Sequence, residues 1–156
     1  MDSMRLLDAI RQQAELAPDA RTLLAETVAL LRRERQHYNW VGIYLLERGE
    51  LVLGPYAGQP TPHMRIPLNQ GICGAAASSG RTIIVDDVSA DPRYLACSLA
   101  TRSEIVVPIA CGGRILGEID IDSDAPAAFT QEDRRLLEEL AEILAARIGE
   151  GTDYEL

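Results

Sequence analysis

The apolar residues of this chain change their spacing twice, and that change bounds the fold. Across residues 4–15 and 20–36 they recur every three to four positions. Leu6, Leu7, Ile10 and Ala14 come first, then Leu24, Val28 and Leu31 with Leu23 and Leu30 beside them. This is the repeat of a helix with one buried side. From Tyr38 the spacing drops to two, the repeat of a strand. After Thr130 it returns to helical, with Leu136, Leu137, Leu140, Ile143, Leu144 and Ile148 in one stripe. Helices at both ends of a strand-rich middle predict an α+β architecture. The 156 residues suit one domain: a helical segment at 1–36 packing on a body at 37–150, then a disordered tail at 151–156.

Within the middle, Tyr38–Leu46 and Leu51–Leu53 read as paired strands, followed by a Gly- and Pro-rich loop that ends in a short extended piece, Met64–Ile66. Tyr38, Trp40, Gly42 and Tyr44 share one face of the first strand by parity. Asn69–Gly74 is a turn opening a short helix, Ala75–Ser79, closed by Gly80. Thr82–Val85 is a strand, and Asp86–Ser103 a long loop with a short helix around Pro92–Ala96. Glu104–Ala110 and Arg114–Asp122 are strands joined through Gly112-Gly113, a hairpin turn signal. Asp19 is the expected cap of the second helix, and Thr130-Gln131-Glu132-Asp133 a capping box for the last. Part of the N-terminal apolar stripe is expected to face a second subunit.

Charge and cysteine content exclude several functions. The net charge of −9 argues against a nucleic-acid partner, which needs clustered cations. Arg32, Arg33 and Arg35 read as a solvated helix face. No apolar run is long enough to span a bilayer, and the start, MDSMRLLDAIRQQ, has no secretory pattern. A cytoplasmic location without a membrane partner is expected. Cys73, Cys97 and Cys111 do not form a disulfide framework or a zinc pattern.

The most informative local run is Gly117-Glu118-Ile119-Asp120-Ile121-Asp122-Ser123. On a strand, Glu118, Asp120 and Asp122 point one way and the isoleucines the other. Two readings follow. One is a solvated outer face. The other is an acidic pocket wall, where crowded carboxylates raise one another's pKa so that one serves as a general acid and another holds a cationic amine. Counting outward from Gly112-Gly113 brings Glu104 to the Asp120–Asp122 end. Divalent metal binding is a weaker third reading, with oxygen ligands alone and no calcium-loop motif.

Cys97 sits in the long loop, seven positions before Glu104. Cys73 lies at the mouth of the short helix, where backbone N–H groups favour thiolate; the alternative is a small residue filling a tight turn. Cys111 has parity opposite to Glu104 and is expected to face the apolar layer as an inert buried thiol.

Several segments together resemble the free methionine-(R)-sulfoxide reductases. They are Asn39-Trp40-Val41-Gly42-Ile43-Tyr44, Arg65-Ile66-Pro67, Gly71-Ile72-Cys73-Gly74, Ala96-Cys97, Ser103-Glu104-Ile105-Val106-Val107-Pro108 and Gly117 through Ser123. The resemblance is collinear from about Tyr38 to Leu144. It implies a GAF fold, with a six-stranded antiparallel sheet packed by helices, usually as a homodimer. It implies reduction of free methionine-(R)-sulfoxide, recycling by thioredoxin, and no metal or organic cofactor. By position, Cys97 matches the cysteine that attacks the sulfoxide sulfur and Cys73 a resolving cysteine. Glu104, Asp120 and Asp122 match carboxylates that bind the substrate amine and protonate the departing oxygen. Trp40 and Tyr44 match aromatic residues near the substrate methyl group.

Two positions depart from the pattern. His63 stands where many members carry another cysteine before Arg-Ile-Pro, and Ser98 follows the nucleophile where many have Asp. The implied chemistry passes oxygen from sulfoxide to Cys97 as a sulfenic acid, which a second thiol converts to a disulfide for thioredoxin to reduce. The main rival is a GAF sensor that binds a small ligand without turnover, and a bare dimerisation domain is a third reading.

Overall fold

In this computed structural model, residues 1–95 and 99–149 are described. Asp2 and Asp19 each begin a helix, accepting hydrogen bonds from the backbone N–H of Arg5 and Thr22. They start α1 (Ser3–Leu16) and α2 (Ala20–Glu34). The strands β1 (Trp40–Glu47), β2 (Glu50–Ala57) and β3 (Arg65–Pro67) follow, then α3 (Gly71–Ser79) and β4 (Ile83–Val85). The last elements are β5 (Ser103–Cys111), β6 (Arg114–Ser123) and α4 (Gln131–Gly149). The start of α4 forms the expected capping box: the Asp133 carboxylate accepts from Thr130 N–H at 2.8 Å and Thr130 Oγ1 accepts from Asp133 N–H at 3.3 Å.

The six strands form one antiparallel sheet in the order β3-β2-β1-β6-β5-β4. Its central strand, β6, lies between β1 and β5. On one face α1, α2 and α4 cover Val41, Ile43, Ile105, Val107, Ile119 and Ile121. On the other, α3 covers a smaller cluster that includes Trp40, Tyr44, Cys73 and Val106. Leu6, Leu7 and Ile10 are buried within the chain itself, so that part of the first stripe is spent on its own core rather than on a second subunit.

Four details correct the sequence reading. β2 runs to Ala57, because a register shift opposite Gly42–Tyr44 absorbs Gly54 and Pro55, which read as loop. The helical turn of the long loop is a short 3-10 segment at Val88–Ala90, fixed by the Asp87 side chain accepting from Ser89 N–H, and 92–95 form no helix; residue 96 lies outside the described residues. Tyr38 packs on the helix side, away from Trp40 and Tyr44, because the strand begins two residues later. Cys111 lies against Gly149 at the end of α4, as its parity requires, yet it is exposed, since the helix ends there without a side chain to cover it. The tail at 151–156 lies outside the described residues.

Tyr38 Oη donates to the Asp133 carboxylate and so ties the entrance of β1 to the cap of α4. Tyr38→Phe removes that donor while keeping the ring, and lowers the unfolding free energy by about 1–3 kcal/mol, as urea denaturation of the two proteins measures.

Candidate active site

The site is built on the period-two alternation of β6. Ile119 and Ile121 enter the helix-covered core, so Glu118, Asp120 and Asp122 must face α3. Pairing aligns Asp122 with Glu104 on β5 and with Trp40 on β1. It aligns Asp120 with Gly42 and Glu118 with Tyr44. The hairpin count therefore placed Glu104 correctly. Relative exposure decides between the two readings of this face: Glu104 is 5% exposed, Glu118 0%, and Asp120 and Asp122 2% each. The acids form a buried wall, not a solvated one.

Cys73, in the first turn of α3, closes over this row. Its Sγ donates to Asp120 Oδ2 at 3.4 Å. Ligand atoms of Cys73, Glu104 and Asp120 all lie within 4.8 Å of one another. Those three donors, one thiol and two carboxylates, could take a borderline metal ion.

Burial dominates the electrostatics. It pushes the Glu104 carboxyl well above its ordinary range, and Asp120 and Asp122 push it further. Asp122 is raised by burial and then by Asp120. Asp120 is raised by burial but less so, because Glu104, Cys73 and His63 favour its charged form. The Cys73 thiol is driven up by burial first and then by Asp120, Glu118 and Glu104. The helix start was expected to favour a thiolate at Cys73; desolvation and three acids outweigh it. Asp120 Oδ1 and Asp122 Oδ1 are buried without a hydrogen-bond partner among the described residues. Such acceptors await a donor.

The aromatic residues flank this row. Trp40 folds back over its own strand, and only a glycine at 42 permits it, because a Cβ there would lie 2.3 Å from the indole. The indole N–H donates to Gln59 O at 2.9 Å and the ring stacks on Tyr56 with centroids 5.8 Å apart. Tyr44 Oη donates to His63 O at 2.8 Å. Tyr44, His63, Cys73, Glu104 and Asp120 enclose a cavity of about 10 Å³, room for a single water. Beside it opens a cleft of about 770 Å³ lined by Trp40, Asp122, Asn39, Gln59 and Arg32. Arg32 read as part of a solvated face from sequence; its place on the cleft wall comes from the packing of α2, which no local pattern carries. Cys97 and Ser98 lie outside the described residues, so the expected nucleophile has no position here.

Known proteins match this arrangement. The GAF domain family matches residues 19–148. A free methionine-R-sulfoxide reductase of Escherichia coli is 40% identical over 136 residues, covering 85% of this chain and 79% of that protein. Another from Saccharomyces cerevisiae is 43% identical over 110 residues, covering 68% of this chain and 61% of that protein. The X-ray structure of free methionine-R-sulfoxide reductase from Neisseria meningitidis in complex with its substrate superposes with a TM-score of 0.90 at 40% identity, covering 94% of this chain and 88% of that one. The sheet and the row of acids fall within the family match, and the chain belongs to the GAF-domain family and, within it, to the free methionine-R-sulfoxide reductases.

Proposed function

We infer that the protein reduces free methionine-(R)-sulfoxide to methionine. The observation that carries this reading is a buried row of carboxylates, three with oxygens unpartnered among the described residues, beside a buried thiol. A free amino acid brings an ammonium group to such acceptors, and charge-assisted hydrogen bonds follow. The substrate enters through the cleft at Trp40 and Asp122, with Arg32, also in its lining, as the partner for its carboxylate. The inner cavity must widen to admit the sulfoxide, since a space for one water cannot hold it.

In this reading Cys97 attacks the sulfoxide sulfur while a protonated carboxyl donates to the oxygen. Glu104 and Asp122 suit the donor role, because burial keeps both protonated well above the usual carboxylate range. Oxygen passes to Cys97 as a sulfenic acid and methionine leaves. Cys73 then condenses with that sulfenic acid, and thioredoxin reduces the disulfide. Trp40 and Tyr44 hold the methyl end. A homodimer is the assembly we assign, to be checked by light scattering.

A coupled assay with thioredoxin, its reductase and NADPH tests the function. Free methionine-(R)-sulfoxide is consumed, and the N-acetylated compound, which has no ammonium, is turned over about tenfold more slowly or worse. Equal rates on the two would overturn the amine-binding role of the acids. No consumption of either would leave a sensor. Cys97→Ser abolishes even a single turnover, because a hydroxyl is a far weaker nucleophile than a thiol.

Glu104→Gln and Asp122→Asn each lower turnover by about tenfold or more with circular dichroism unchanged, since proton donation is commonly worth a factor of about 10²–10⁴.

The same acids set a pH dependence on stability. Each binds its proton more tightly in the folded chain than in the unfolded one. The resulting stabilisation is complete below the unfolded pKa of about 4 and is lost as pH climbs through the raised folded value. The unliganded protein therefore melts at higher temperature at pH 5 than at pH 8. Glu104→Gln narrows that gap, as thermal melts across the range record.

A further inference from the structure

Glu118 is the acid that the reaction outlined above leaves without a task. It is fully buried, and neither carboxyl oxygen has a hydrogen-bond partner among the described residues. It borders neither the inner cavity nor the cleft. A buried carboxyl in that condition destabilises a fold, and an apolar side chain would serve the inward position on β6 better. What Glu118 does face is the Cys73 thiol. Burial lifts the Glu118 carboxyl well above its ordinary range, the thiol opposing part of that rise, and the carboxylate in turn helps to raise the thiol. The same sulfur donates to Asp120 Oδ2 at 3.4 Å. From β1 the neighbour is Tyr44, whose hydroxyl is engaged with His63 O, and from β5 it is the uncharged Pro108.

We propose that Glu118 is a catalytic residue of the resolving step, its carboxylate taking the proton from the Cys73 thiol as that sulfur attacks the oxidised cysteine. The inference rests on the reading of Cys73 as the resolving thiol. The need is chemical: the thiolate is the nucleophile, and this thiol is held protonated by its surroundings. Asp120 and Glu104 line the inner cavity, where they serve the substrate step. Glu118 lines neither that cavity nor the cleft, which leaves its carboxyl to the thiol.

The step balances without an outside oxidant. The S–H bond of Cys73 and the S–O bond of the Cys97 sulfenic acid break, and the S–S bond forms. The Cys73 sulfur is oxidised and the Cys97 sulfur reduced, two electrons passing between them. Glu118 takes the thiol proton, and through Asp120, on the same face of the strand, a proton reaches the departing hydroxide, which leaves as water. Both groups then regain their starting state.

The test is a single turnover without reductant, following methionine release by chromatography and the Cys73–Cys97 disulfide by mass spectrometry. In Glu118→Gln, an isosteric change that also removes a buried ionisable group, disulfide formation falls by about tenfold or more relative to methionine release. The sulfenic acid accumulates and is trapped by dimedone. The rise of the resolving rate with pH, set in the wild type by ionisation of Glu118, is lost. Glu118→Asp, which keeps the carboxyl but withdraws it by one methylene, restores part of the rate and the pH dependence. Wild-type disulfide kinetics and pH profile in Glu118→Gln would overturn the proposal, and so would a parallel loss of both steps, which marks a structural role. If the wild type releases methionine yet never forms a Cys73–Cys97 disulfide, as Cys73→Ser must also fail to do, it is the reading of Cys73 that falls, and the proposal with it.

Discussion

Three acids and two isoleucines alternate along β6, and every other part of the molecule accommodates that alternation. The isoleucines need a dry apolar layer, which three helices supply. The acids are thereby forced to the opposite face, where α3 covers them. A sheet that presented both faces to apolar layers would have excluded carboxylates; one that left a face to water would have left them ionised and weakly interacting. Here they are enclosed on a small second face, and enclosure turns ordinary side chains into strong proton-holders. Burying polar groups without partners costs stability locally.

Most of the framework was legible because it rests on periodicity. The helical stripes, the Gly112-Gly113 hairpin and the capping boxes are local patterns with local causes, and the structure reproduces them. Parity put Trp40 with Tyr44 along β1 and Asp120 with Asp122 along β6, and a count from the hairpin added Glu104 to the acids; the meeting of the two groups follows from the pairing of β1 with β6. What parity could not carry was anything decided by where an element stops. Tyr38 obeys the alternation on paper but precedes the strand, so it turns the other way. Cys111 lies on the predicted face but past the end of its cover. The passage of Gly54-Pro55 through β2 depends on a register shift, which no local preference announces.

The least legible features were those set by tertiary enclosure. Whether Cys73 favours thiolate turns on a competition between a helix start and buried acids, and sequence reveals the first but not the distance of the second. Arg32 could not be separated from its neighbours on an exposed helix until the cleft was seen. Glu118 looked like one more member of an acidic row; the lack of a partner for both its oxygens among the described residues, and its absence from either cavity wall, set it apart.

The tight space around Cys73 has a consequence for how this protein meets reactive chemicals. Cys111 is open to solvent, whereas the Cys73 sulfur sits behind a void that admits no more than a water. An alkylating reagent therefore reaches Cys111 at the pace of an ordinary surface thiol and reaches Cys73 only as often as the fold breathes. One chain carries both the clock and its calibration, so the ratio of the two labelling rates is a direct gauge of opening in a molecule whose resting shape admits no substrate.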